Sequence, residues 1–510
     1  MSTQLRPEAA PAGSQAAGPL RSRLPWQRIA LGLAVLTGLL TAVSPLLGVA
    51  VAAVMVVLVV LARWRDAIPV LTIAVIYSNA VVIFAQQGTV PTAASGVLLA
   101  ALGLTVLRRA LDSGTVAVRP PGFAPVLAFA GVQCISALFS VAPEVAQADV
   151  ISSLSEGTLL YVLVVYAVVE TRTIMSVVNA LLVVAAGLGA LSLTQFLLGD
   201  YTNTFFGFAG VSNAVVPGST AGTDLQQLRV NGNIGETNRY GQVLAVLLPL
   251  AVVRFAATSS RAMKVFAVAS AVLMLCGIVL TYSRGTAVAL VAILVTATLL
   301  RWMRARWLAG AVAVAAVIAL TAPGYAERLD SLTTVAGVTE LQGSSTAADN
   351  AVRGRATEIV SAVLAFADHP VLGVGPGAFP TVSPQYAATV GIRPRLEERE
   401  SHNLYAGTAA ETGILGLTAF LLVLVQVVAG CAKAVRRWAA VDRTRALLAR
   451  GFLAAVLVYA YSGMFLHLSY VRYFWLLIAL AAATARLPGE QTRPIGRSWR
   501  RAPADASVHA

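Results

Sequence analysis

The chain has 510 residues, 57% of them hydrophobic and only 12% charged, with a formal net charge of +14 and a mean hydropathy of +0.77. Soluble globular proteins carry about 25% charged residues, so this balance excludes a water-solvated fold and points to lipid as the solvent. The basic excess sits in short clusters between apolar runs, with no basic stripe interleaved with aromatics. That excludes nucleic acid as a partner and fits loops obeying the positive-inside rule.

Residues 1–28, rich in Ala, Pro, Gly and Ser and ending on Arg21, Arg23 and Arg28, read as a disordered basic cytoplasmic arm. No small-residue cleavage site follows the first apolar run, so no cleaved signal peptide is expected. A membrane domain then fills 29–485. Apolar runs long enough to cross a bilayer, about 17–25 residues, fall near 29–43, 46–62, 68–85, 93–107, 122–140, 153–169, 174–198, 238–258, 263–282, 285–300, 307–323, 404–430, 450–467 and 469–485. The expected fold class is therefore an all-α polytopic membrane protein of roughly 14 spans, within a range of about 12–14. Cys134, Cys276 and Cys431 lie within or at the ends of these runs without CxxC spacing. They read as small apolar packing residues, not as a zinc site or disulfide framework.

Loop charge sets the expected topology. Arg63 and Arg65, Arg108 and Arg109, Arg254 to Lys264, Arg301 to Arg306, Lys433 to Arg445 and the basic tail 486–510 all follow even-numbered spans. Both termini are then cytoplasmic. Two long loops, 199–237 and 324–403, are left on the outer face, and loops of that length usually have a task or structure of their own. In the second, Ser345 or Asp349 is a cap for a helix reaching about Phe366, with Ile359, Val360, Val363 and Leu364 as its apolar face. Pro370 and Gly373, Gly375 and Gly377 then end it in a turn. Such a helix is expected along the membrane surface, over the bundle.

Arginines on the outer face run against the positive-inside bias. Arg229 stands in Leu228-Arg229-Val230-Asn231-Gly232-Asn233, before a span opening Asn238-Arg239-Tyr240. Arg284 stands in Thr281-Tyr282-Ser283-Arg284-Gly285 at a tight turn, and Arg353 and Arg355 lie on the loop helix. Guanidinium groups fork onto phosphate oxygens and stay charged near lipid, so several around one point form a diphosphate clamp; the alternative for each is headgroup contact by snorkelling. Four histidines occur in the chain. His402, in Ser401-His402-Asn403-Leu404-Tyr405 where the polar loop meets an apolar helix, is the base candidate. His369 reads as a turn residue, His509 as part of the tail, and His467 with Arg472 as possible lining of the same cavity. Glu411, about two turns inside the span from Leu404, is costly in lipid and is expected to pair with an arginine or face a polar cavity. No metal site and no cofactor are expected: Glu397, Glu398 and Glu400 diverge beside arginines, and no Asp-x-Asp motif occurs.

Taken in order, Arg229-x-x-Gly232 with Asn238, Tyr282-Ser283-Arg284-Gly285, Arg355 with His369-Pro370-Val371-Leu372-Gly373-Val374-Gly375, and His402-Asn403-Leu404-Tyr405 with Glu411-Thr412-Gly413-Ile414-Leu415-Gly416 resemble the O-antigen ligase and polymerase superfamily of bacterial membrane glycosyltransferases. One departure is Glu236-Thr237-Asn238, where that family often has Asn-Pro-Asn. The resemblance implies a GT-C-like enzyme of the bacterial cytoplasmic (inner) membrane, acting on the extracytoplasmic side without metal or nucleotide sugar. It implies an undecaprenyl-diphosphate-linked glycan as donor and a glycan, lipid or protein hydroxyl as acceptor. Arg229, Arg284 and His402 take the family's catalytic positions; Asn238, Arg239, Arg353, Arg355, Asn403, Tyr405, Glu411 and Arg472 are expected around the substrate. A repeat-unit polymerase shares these motifs, and a lipid-linked glycan or solute transporter is the rival of another class, expected to show broken helices near the bilayer midplane and internal repeats.

Overall fold

A computed structural model describes residues 66–487 apart from 92–93, 114–119, 217–224, 307, 311–312, 314–346, 391–396 and 469–470. The spans expected at 29–43 and 46–62, and most of that at 307–323, lie outside the described residues, as do 1–28 and 488–510. Each of the other expected spans meets a helix. In chain order these are α1 Ala67–Ser78 with α2 Ala80–Gln86, α3 Ala94–Ser113, α4 Phe123–Leu138, and α5 Pro143–Ser152 running through a π-helical turn Ser153–Leu159 into α6 Leu160–Ala167. They continue as α7 Thr171–Leu198, α8 Thr237–Ala256, α9 Arg261–Leu280 and α10 Arg284–Leu299; the outer-loop helices are α11 Ala347–Asp368 and α12 Phe379–Val390, and the chain closes with α13 Leu404–Trp438, α14 Arg443–Ser462 and α15 Val471–Ala485.

Among the described residues seven helices are long and apolar enough to cross a bilayer, or eight if the bent pair α1 and α2 counts as one span; α4, α10 and α15 are apolar but shorter. The chain is thus an all-helical polytopic membrane protein in its main architecture. The expectation of helix alone needs one correction. Within the loop 199–237, β1 Val211–Val216 pairs antiparallel with β2 Leu225–Val230, in a register running from Val211 opposite Val230 to Val216 opposite Leu225. Neither strand carries a long apolar run, so a reading built on membrane-length segments passes over them.

α15 is buried from Tyr473 to Thr484, as expected for a helix apolar on every face. Trp475 in it packs against Phe129, Tyr161 and Phe474, and Phe420 of α13 stacks on Phe474 with ring centroids 5.3 Å apart. Lipid gives little drive to bury apolar surface, so close backbone contact has to hold such a bundle. α7 and α9 meet at Gly189, where a Cβ atom would stand 2.2 Å from the Leu273 carbonyl oxygen.

α13 is broken at Gly413, whose φ is 65° and ψ −165°. The segment Pro370–Gly375 fills the break: Ile414 N donates to Pro370 O at 2.8 Å, Val374 N to Ala410 O at 2.8 Å and Gly375 N to Glu411 O at 3.0 Å. A Cβ on Gly413 would meet Val371 O at 2.2 Å, and one on Gly373 would meet the Glu411 carbonyl carbon at 2.3 Å. The glycines of the two motifs are there because two backbones interlock, one supplying the partners the other lost.

Candidate functional site

The second-loop helix forms over 347–368, close to the expected range, and the face that packs inward is not the apolar one. Val360, Val363 and Leu364 are exposed, whereas Thr357, Glu358, Ser361, Ala362 and Ala365 are buried. The small residues let α11 approach α12 and α13 closely, with Ala362, Ala365, Val374, Ala378, Phe379 and Ala410 in one cluster. The turn after Asp368 and then α12 complete this cap; the sequence reading ended the cap at the glycines.

Burying that face of α11 delivers Glu358, 5% exposed, to His402: its Oε2 lies 2.9 Å from His402 Nδ1 but off the hydrogen-bond direction, so the contact is one of charge. The same ring nitrogen is 3.1 Å from the Glu400 carbonyl oxygen. Neither a carboxylate nor a carbonyl donates a proton, so Nδ1 carries the hydrogen and Nε2 keeps its lone pair. His402 itself sits at φ 46°, a left-handed backbone that costs a non-glycine residue about 1 kcal/mol. The following residue holds it there. Asn403 caps α13, its Oδ1 accepting from Tyr405 N at 3.0 Å and Ala406 N at 2.9 Å, while its Nδ2 donates to Met464 O at 3.1 Å.

A second imidazole faces the first. The rings of His402 and His467 stand edge to face with centroids 5.8 Å apart, and His467 Nε2 is 3.7 Å from Glu400 Oε1. Burial, then the nearby Arg239 and His402, push the His467 imidazole down to about 2. Burial raises the Glu400 carboxyl above its ordinary range, although His402 and Arg239 draw it back. Arg239, 1% exposed, ties this group to the start of α8. Its Nη2 donates to His467 O at 2.7 Å, Nη1 to Gln242 Oε1 at 3.3 Å, and Nε lies 3.5 Å from Glu236 Oε2. Arg355 on α11 joins the same field: burial lowers it, and Glu358 and Glu236 raise it again.

Arg229 and the Arg284 turn also meet. Arg229 Nε donates to Thr281 O at 2.8 Å and Nη2 to Asn238 Oδ1 at 3.2 Å. Thr281 opens the turn that places Arg284 at the first position of α10, capped by Ser283, whose Oγ accepts from Thr286 N. Tyr282 between them has φ 50°. A continuous run of contacts therefore links the Arg284 turn, Arg229, Asn238, Arg239, His467 and His402, across one end of the bundle.

Other expected site residues are committed elsewhere. Asn403 is the cap just described, and Tyr405 Oη donates to Ala460 O at 2.8 Å. Arg472 forms a two-pronged pair with Glu156, 3.0 and 3.1 Å from its carboxylate oxygens, on the π-helical turn between α5 and α6. Glu411 was expected to meet an arginine or a polar cavity, and no arginine pairs with it among the described contacts. Its carboxylate instead accepts the backbone N–H groups of Gly377 and Phe379 at the start of α12, where the helix dipole favours a negative group. Arg353 lies half-buried on α11. The sequence reading missed Glu358, Glu400, Glu236 and Gln242. A signal for Glu358 was present, since an acidic residue on a face otherwise of Thr, Ser and Ala is unusual in a surface helix.

The fold and this cluster define a polytopic membrane protein with arginines, two imidazoles and carboxylates gathered at one mouth. Within the chain, residues 269–421 match the family model described as O-Antigen ligase. The chain's general function is accordingly of the ligase or polymerase type. The match includes Arg284, Arg353, Arg355, Glu358, His402 and Glu411, and leaves Arg229, Asn238, Arg239, His467 and Arg472 outside it. A search of curated proteins finds no match to the chain.

Proposed function

We propose that the protein is a glycosyltransferase of the bacterial cytoplasmic membrane that moves a glycan from an undecaprenyl-diphosphate-linked donor to an acceptor hydroxyl. The His402 mouth faces the extracytoplasmic side, both termini are cytoplasmic, and the complete chain has about 14 spans in a GT-C-like arrangement. Arg229 and Arg284 grip the diphosphate, and His402 takes the acceptor proton in a single inverting displacement that needs no metal. The observation carrying this reading is the contact of His402 Nδ1 with the Glu400 carbonyl and the Glu358 carboxylate, which leaves Nε2 as the nitrogen able to act as base. Arginines held in place near a leaving diphosphate stabilise the charge that develops on it without having to reorganise.

The test is transfer by the purified full-length protein from undecaprenyl-diphosphate glycan to an added acceptor. His402→Ala is expected to lose about 10²–10⁴-fold in transfer rate with membrane insertion intact; wild-type transfer by that variant refutes the assignment. A repeat-unit polymerase runs the same chemistry with a second lipid-linked glycan as acceptor.

The transporter reading draws on two broken helices, α1–α2, bent by 51°, and α13 at Gly413. Protein groups close both. Asn79, in the left-handed conformation at the first break, donates to Asn233 O at 2.8 Å, and Asn233 Nδ2 donates to Ser78 O at 2.8 Å. The Pro370–Gly375 segment fills the second. A transporter's breaks expose backbone to its substrate, so this pattern favours the enzyme.

A further inference from the structure

Glu358 lies on the cap helix, on a face that packs into the protein, and its carboxylate is the nearest anionic group to the proposed base. Several charged or titratable groups come near His402. Glu358 and Arg355 come from α11, Glu400 from the preceding loop, His467 from the segment between α14 and α15, and Arg239 from the start of α8. Among them Glu358 and Glu400 approach Nδ1 itself, Glu400 through its backbone carbonyl, which carries no net charge. The Glu400 side chain is turned to His467, at 3.7 Å. One buried carboxylate therefore stands against the nitrogen opposite the reacting one.

We propose that Glu358 is a positioning residue for glycan transfer: the Glu400 carbonyl takes the Nδ1 hydrogen of His402, and the Glu358 charge beside that nitrogen favours this tautomer and stabilises the imidazolium formed when Nε2 takes the acceptor proton. The inference rests on the reading of His402 as base. In the step, the acceptor oxygen bonds to the anomeric carbon as the bond from that carbon to the carrier diphosphate breaks. The breaking bond's electron pair leaves on the diphosphate oxygen, and the acceptor's proton passes to Nε2, from which solvent or the released diphosphate removes it. During that interval the ring is a cation between Glu358 and a group of arginines. Without the carboxylate, Arg355 and Arg239 would act on that cation with less opposition.

This geometry also gives α11 a reason to be where it is. Its small buried face seats it against α12 and α13, and α13 begins one residue after the His402–Asn403 pair. The carboxylate and the imidazole are thus brought together by a helix from the cap and a cap residue of a span, and neither element alone makes the pair.

The experiment compares wild type, Glu358→Gln, His402→Ala and the double variant, as full-length protein in vesicles of bacterial phospholipid with undecaprenyl-diphosphate glycan as donor. Glu358→Gln is expected to lower kcat by about 10²-fold or more, as loss of a group that sets an imidazole's tautomer does, with the donor KM within about twofold of wild type. In the His402→Ala background the same change is expected to cost little further, because a residue acting through the imidazole has nothing left to act on. A KM effect with kcat unchanged, or a loss that adds in full to that of His402→Ala, overturns the proposal. Should Glu358→Gln fail to insert, Glu358→Asp carries the same test: reduced kcat without additivity supports it, and full additivity overturns it. If His402→Ala transfers at the wild-type rate, the base reading itself has failed. If His402→Ala is impaired and Glu358→Gln keeps the wild-type kcat, only the inference about Glu358 has failed.

Discussion

The two ends of the bundle both gather arginines, and they hold them differently. At the Trp438 end Arg437 and Arg445 lie over the Trp438 ring, 4.8 and 4.6 Å from its centroid, and Arg450 lies over Trp302 at 5.9 Å. Arg445 adds oxygen contacts to Asp442 and Thr171, both at 3.1 Å, and at the other end Arg472 adds a ring contact to Tyr473 at 6.0 Å, so the contrast is one of the main partners. At the His402 end the partners are oxygens: Arg239 has Glu236, Gln242 and the His467 carbonyl, Arg229 has Thr281 and Asn238, and Arg472 has both oxygens of Glu156. A ring face attracts a cation without fixing where each N–H points, and the long stem can still reach toward headgroups. Oxygen partners fix the fork. The first arrangement anchors a helix end in a membrane. The second builds an electrostatic field of set direction, which is what stabilising a developing charge requires.

Substituting one arginine from each end sharpens that contrast most. Arg239→Ala leaves the half-buried Glu236 carboxylate, the Gln242 amide and the His467 carbonyl without their donor, and losing hydrogen bonds from a buried charged group costs about 3 kcal/mol. Arg445 is 18% exposed in its side chain, so Arg445→Ala is expected to cost about 1 kcal/mol or less. Thermal unfolding of the full-length protein in detergent, with transfer assayed alongside, reads both. Equal shifts in Tm for the two variants would remove the distinction between the ends.

How far the sequence reveals this architecture depends on which interaction decides each element. The spans are set by apolar length against bilayer thickness, a one-dimensional quantity, and the expected segments within the described residues all meet helices. The cap helix was legible in position, through its cap residues and the glycines after it, but not in face. Periodicity marks Ile359, Val360, Val363 and Leu364 as an apolar face, but it does not say that the opposite face, with Thr357, Ser361, Ala362 and Ala365, is the one that packs inward. Glu358 was lost with that face, and so was its partnership with His402. The hairpin Val211–Val216 with Leu225–Val230 and the commitment of Glu411 to the N–H groups of Gly377 and Phe379 depend on pairings that span tens of residues or need the fold to exist first. Arg229, Arg284 and His402 draw notice in the sequence because charge in an apolar chain stands out, whereas Asn403 and Tyr405, polar neighbours in the same motif, serve the backbone.

The interlock between the cap and α13 is the next test, since it decides whether the His402 end is rigid. Gly413→Ala places a Cβ on a residue at φ 65° and within 2.2 Å of the Val371 carbonyl oxygen. Strain of this kind costs about 1–3 kcal/mol before any movement of the backbone. Transfer is expected to fall with stability, because Glu411 and the start of α13 shift together and carry His402 with them. The control is Gly187→Ala, at a site with open space around the added methyl. A Gly413→Ala protein as stable as that control would show that the two backbones do not depend on each other.

The smallest effect expected is a change in pH dependence confined to the His402 end. The buried His467 imidazole titrates at about 2 instead of its ordinary 6.5, so on acidification the unfolded chain takes up a proton near pH 6.5 that the folded protein refuses. His467 therefore contributes stability above pH 6.5 that is lost progressively as the pH falls toward 2. Glu400 works in the opposite sense. Its raised carboxyl binds a proton in the folded protein before the unfolded one does, so the folded state gains stability on acidification over the range just above 4.5. The histidine contribution stands most nearly alone between pH 7.5 and 6, before Glu400 offsets it. His467→Gln, which removes the titrating group and keeps an amide of similar reach, is expected to lose less Tm than wild type over that interval. A wild-type slope in the His467 variant would mean that this imidazole titrates as it does in water, and that the mouth is wetter than its burial implies.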